Sequence, residues 1–158
     1  MDTALSTLLF SMLIGVVAGL RAMMAPAAVS WAARFGWLEL GSTSLAFLGY
    51  RYTPWIATVL AVGELVTDQL PTTPSRTVPI QFGTRIVVGG LCGGAFGAAS
   101  GHLAIGVVGG MAGAVAGTLG GRAFRGRLAR AFGNDHPAAL VEDAIAITAA
   151  WLIAMGAR

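Results

Sequence analysis

Glu64 and Asp68 stand four residues apart in the stretch GELVTDQLP, near the end of an apolar run that begins at Trp55. On a helix that spacing puts both carboxylates on one face, about 5 to 6 Å apart at their Cβ atoms. In a low-dielectric surrounding two such groups do not both ionise cheaply, so one holds a proton, or a cation or an arginine sits between them. Asp68 lies three residues before Pro71 and can equally mark the wet end of its helix. Glu64, nearly two turns in from that end, needs a partner. A second acidic pair, Glu142 and Asp143, follows the polar segment 134–137 and lies inside another apolar run. Acids in the first turns of a helix complement its macrodipole, but Asp135 already serves that end. Arg21 and Arg85 are the arginines placed to enter the same apolar layer, and either can pair with these carboxylates. His136 beside Asp135 reads as a solvated loop histidine, and His102 lies at a different turn. No Ser-His-Asp pattern and no metal-ligand spacing argues for an enzyme, and no cofactor is indicated.

These residues sit in a chain of 158 residues that is 56% hydrophobic and 11% charged, with a mean hydropathy of +0.76. Such a composition is that of a membrane protein, with room for about five spans and no separate soluble domain. The expected fold is all-α, a single integral membrane domain over residues 1–158. All ten basic residues are arginine and the net charge is +3; in so apolar a chain this speaks of orientation rather than of nucleic acid. A single cysteine, Cys92, excludes disulfide frameworks and multi-cysteine metal sites. The first apolar run carries Asp2 instead of a basic leader and reads as a retained span.

Residues 4–20 are apolar, then Arg21 and Pro26 interrupt before a second apolar piece at 27–37, so a broken first helix is expected, with the break at Pro26 lining a path. A break of this kind is tolerated where it is buried in protein or lines a wet cavity; the alternative has Arg21 snorkelling to the interface. Residues 38–53 are interfacial, with room for a surface helix. A second span is expected from Pro54 to about Leu70, stopped by Pro71 and Pro74, and then an extended loop PTTPSRTVPIQFG. Two spans follow from Thr84 with a turn at 100–102, and a fifth runs from Pro137 to Met155. Glycines at 89, 93 and 97, and at 109, 113 and 117, recur every four residues and make flat stripes for tight helix packing or a homodimer seam. IGVVAG at 14–19 echoes IGVVGG at 105–110, and AARFG at 32–36 echoes ARAFG at 129–133, which suggests a two-half plan. Positive-inside places Arg76 and the Arg122–Arg130 loop in the cytoplasm. An odd number of spans then puts the N-terminus there too and Arg158 outside.

GLRAMMAP, ELVTDQLP, the span led by Arg85 and NDHPAALVEDAIAI together resemble a family of small bacterial integral membrane proteins known only as a domain of unknown function. The resemblance covers nearly the whole chain. It matches a Gly-Leu-Arg with a following proline at Gly19, Leu20, Arg21 and Pro26. It matches Glu, Asp and Pro at Glu64, Asp68 and Pro71, an arginine opening a span at Arg85, and a Glu-Asp pair at Glu142 and Asp143. The sequence departs from the pattern at Gln69, where the family has a basic residue, and in a shortened loop before Arg85. The family supplies no activity. The expectation is a bacterial inner-membrane homodimer that moves a small ion or solute, a divalent cation or a proton being the most concrete version. Its site comprises Glu64, Asp68, Glu142 and Asp143 with Arg21 and Arg85. The alternative is a non-transporting scaffold or lipid-binding protein in which the arginine–carboxylate pairs are struts between helices.

Overall fold

The computed structural model describes residues 3–68 and 78–158. Asp2, Gln69, Pro71, Pro74, Arg76, the expected end of the second span at Leu70 and most of the expected extended loop lie outside the described residues. The described chain is all-helical: α1 (Thr3–Leu20), α2 (Met24–Arg34), a short 3-10 turn (Ala46–Gly49), α3 (Thr53–Thr67), α4 (Pro79–Ala99), α5 (Leu103–Phe132) and α6 (Asp135–Gly156). Four of these, α1, α4, α5 and α6, are long and apolar enough to cross a membrane, and α3 is a shorter apolar helix. The protein is a polytopic α-helical membrane protein.

The glycine stripes explain the centre of the bundle. α1, α4 and α5 form its tightest packing, and glycine is what permits it. A Cβ added to Gly93 would lie 2.7 Å from the Cα of Gly110, and one added to Gly19 would lie 2.6 Å from the backbone N of Thr118. Gly113 and Gly117 likewise meet the backbone of Met12 and Val16 on α1. Ser11 uses the close approach to donate to the Gly93 carbonyl at 3.0 Å. The stripes are thus filled from within the chain, as tight helix packing requires. Around this centre Ile14, Val17, Val29, Phe96 and Ile153 close the apolar core between α1, α2, α4 and α6.

The break after Leu20 is a reversal. Arg21 lies beside Asp143 near the start of α6, whereas Trp37, just beyond α2, packs on Trp151, and the Arg158 guanidinium sits 4.2 Å over its ring. α2 therefore runs back beside α1 instead of prolonging it. Pro26 is not the break: it is the third residue of α2, in the first turn, where its missing N–H breaks no intrahelical bond. The chain leaves α1 over Arg21–Met23.

That additional reversal changes the topology. Thr3, Ser100 and Ala157 line one shallow pocket at one end of the bundle, and Thr7 and Ser100 share a 2.6 Å hydrogen bond there. α5 starts beside Ser100 and, at 30 residues, runs about 45 Å to carry its arginines to the opposite end. The expectation that the N-terminus shares a side with the Arg122–Arg130 segment is corrected: the start of α1 and Arg158 share one end, and that segment, which is the end of α5 rather than a loop, is at the other. Two smaller differences follow from local chemistry. α4 begins at Pro79 rather than Thr84, because proline suits a helix's first position. The interfacial segment forms a 3-10 turn and no α-helix.

The sequence echoes do not make two equivalent halves. IGVVAG and IGVVGG lie against each other, Gly15 meeting the backbone of Gly110, on helices that run in the same direction. AARFG ends α2 and ARAFG ends α5, at opposite ends of the molecule.

Candidate functional site

Each long helix brings a charge to the end of the bundle where α1 stops. Arg21, the first residue after α1, is fully buried. It reaches Asp68 at the end of α3 and Asp143 in the third turn of α6. Arg21 therefore does not snorkel to an interface; it joins three segments, with both carboxylates on it only slightly exposed.

Arg85, in the second turn of α4 and 2% exposed, works on the other side of the break. Its Nη1 donates to the carbonyls of Gly19 and Leu20, each at 2.9 Å. These belong to the last turn of α1, whose carbonyls have no intrahelical partner. Thr118 on α5 adds a third donor, from its Oγ1 to the Gly19 carbonyl at 3.2 Å. Glu64 serves the opposite helix end. Its two carboxylate oxygens accept from the backbone N–H groups of Ala22 and Met23, both at 2.8 Å, where α2 begins and a helix favours negative charge. Arg85 Nη2 lies 3.5 Å from Glu64 Oε1, so one ion pair spans the two ends of the broken helix.

The sequence-predicted residues thus fall into two linked groups. Arg21 gathers Asp68 and Asp143; Arg85 and Glu64 hold the break itself. Glu142 is buried, with Arg125 Nη1 at 3.8 Å. Arg125 also grips Asp135, from Nε at 2.9 Å and from Nη2 at 2.5 Å. His136 is exposed in the first turn of α6, and its backbone N–H donates to Asn134 Oδ1, which caps that helix. His102 lies at the far end beside Ser100. Four participants were missed from sequence: Thr118, Arg125, and the backbone groups of 19–20 and 22–23. Thr118 carried a readable signal, being the one hydroxyl residue in α5; Arg125 was read only as a topological charge.

The Arg21 guanidinium lies between Asp68 and Asp143. Among the described residues no group of three or more His, Cys, Asp or Glu is arranged to hold a metal ion. What the arrangement can do is exchange partners. A proton on Asp68 or Glu64 cancels the charge that holds an arginine or a helix end in place, and the freed group needs another partner.

A bundle of apolar helices, with buried arginines and carboxylates at the reversal between α1 and α2, defines a polytopic membrane protein with a charged centre built into its helices. The chain matches, over residues 8–155, the family described as a domain of unknown function, DUF4126, and it belongs to that family. No curated protein and no solved structure matches the chain.

Proposed function

We propose that the protein is a small transporter or channel-like protein of the bacterial inner membrane that moves a small ion or solute past the charged centre, with the proton as the most concrete cargo or coupling ion. The observation that carries this reading is the reversal between α1 and α2: the carbonyl end of α1 and the N–H end of α2 meet at Arg85 and Glu64, inside the protein. Helix ends turned on a buried polar site are also what membrane transporters use to bind ions and solutes. The divalent-cation version loses support, because Arg21 occupies the space between Asp68 and Asp143. Positive-inside places the end with Arg122–Arg130 in the cytoplasm, and the start of α1 and Arg158 then face the other side.

The test is proton flux in proteoliposomes under an imposed pH gradient. The proposal expects wild-type flux above that of empty liposomes and its loss in Glu64→Gln. Flux in Glu64→Gln equal to wild type removes Glu64 from the path.

The second reading, a non-transporting scaffold or lipid-binding protein, is favoured by one feature: Arg21 ties α1, α3 and α6 together as a strut would. It expects Asp68→Asn to lower the detergent melting temperature, whereas a transport site leaves it unchanged or raised.

A further inference from the structure

At the end of the bundle opposite the charged centre, α2 and α3 leave a cleft of about 430 Å³ lined by Trp31, Arg34, Phe35, Arg51 and Trp55. We propose that this cleft binds the anionic headgroup of a phospholipid, with the acyl chains lying along the outer face of α3. The proposal is independent of the transport reading.

The walls are fixed by aromatic packing. Trp31 stacks on Phe35 at 5.2 Å between ring centroids and meets Trp55 edge-on at 5.1 Å. Its indole N–H is already engaged, donating to Thr58 Oγ1 at 3.0 Å, so Trp31 presents only ring surface to an occupant. Arg34, in the last turn of α2, and Arg51, just before α3, bring two exposed guanidinium groups to the same opening. Among the described residues neither forms an ion pair with a carboxylate. Arg51 rests only over the Tyr52 ring, 5.5 Å from its centroid. Two planar forks lining one cleft suit the non-bridging oxygens of a phosphate group.

The depth and the surroundings select a lipid over a soluble anion. Tyr50, Tyr52 and Trp55 are exposed around the cleft, as in the aromatic belt that marks the headgroup level of a bilayer. Directly below it, the exposed face of α3 presents Ile56, Val59 and Leu60, an apolar track that begins where the two arginines end. A free phosphate would use the arginines and none of this track.

The test is native mass spectrometry of the whole protein released from detergent with phosphatidylglycerol or phosphatidylcholine added. Wild type is expected to retain phosphatidylglycerol in preference to phosphatidylcholine. R34Q/R51Q is expected to lower phosphatidylglycerol retention roughly tenfold, to the phosphatidylcholine level, and R122Q/R127Q, at the other end, to leave it unchanged. Both substituted side chains are exposed, so melting is expected to hold. If the double variant does not fold, R34Q and R51Q singly carry the test, each with a loss of about threefold. Retention in R34Q/R51Q equal to wild type, or a loss produced by R122Q/R127Q instead, overturns the site. Displacement of the lipid by millimolar inorganic phosphate overturns the assignment to a lipid.

Discussion

Arg21 touches Asp68 and Asp143 while Glu142, the immediate neighbour of Asp143, touches Arg125. Consecutive residues on a helix diverge by about 100°, and the two acids reach different arginines. This separates the roles of the four acids that sequence grouped as one site. Arg21→Gln leaves the buried Asp143 and the slightly exposed Asp68 without their common partner and is expected to cost about 3 kcal/mol, read as a lowered melting temperature in detergent. Glu64→Ala exposes the N–H groups of Ala22 and Met23 and is expected to cost about 1 to 2 kcal/mol, the scale of a lost N-cap. Hydrogen exchange at those two amides should rise, and Glu64→Gln, which keeps one acceptor, should fall between. Unchanged exchange in Glu64→Ala would show that water or another group already serves them. The charged residues of this site were legible because an arginine or a carboxylate in an apolar run must find a partner. The backbone groups they serve were not, since a carbonyl or N–H carries no residue type to mark it.

At the scale of elements, the glycine spacing announced close packing but not its partner, because a flat stripe accepts another helix of the same chain as readily as a second copy. The structure gives a sharp contrast to exploit. Gly93→Ala forces a methyl against the backbone of Gly110 and is expected to cost about 1 to 3 kcal/mol. Gly120→Ala meets nothing within 4 Å and is expected to be neutral or stabilising by up to about 1 kcal/mol through helix propensity. Thermal melting of the two variants side by side checks both, and equal melting would contradict the packing. Pro26 shows the limit of reading breaks from sequence. A proline is equally at home just after one helix and in the first turn of the next, and only the partners of Trp37 show that α2 turns back. α3 follows from the same reversal: it packs chiefly on α2 and the 3-10 turn and is fastened at its far end by Glu64 and Asp68. It is the element most free to move when those acids change partners.

For the molecule as a whole, the extra reversal places the start of α1 with Arg158, opposite the Arg122–Arg130 end. Cys92 is fully buried, so single cysteines can be introduced against a silent background. Thr3→Cys and Ala157→Cys are expected to react with a membrane-impermeant thiol reagent from one side of the membrane and Ala131→Cys from the other. Labelling of Thr3→Cys and Ala131→Cys from the same side would restore the odd number of crossings that the sequence suggested. Composition made the membrane class legible. The reversal into α2 was not, because an 11-residue helix falls below the length that hydropathy recognises as a span. The central claim, that the charged centre is a working site and not only a fastening, rests most directly on Asp68→Asn measured for proton flux and melting temperature in the same reconstituted preparation. The account predicts that flux falls to the level of empty liposomes while melting is unchanged or raised; wild-type flux in Asp68→Asn, or loss of flux accompanied by a large drop in melting, would contradict it.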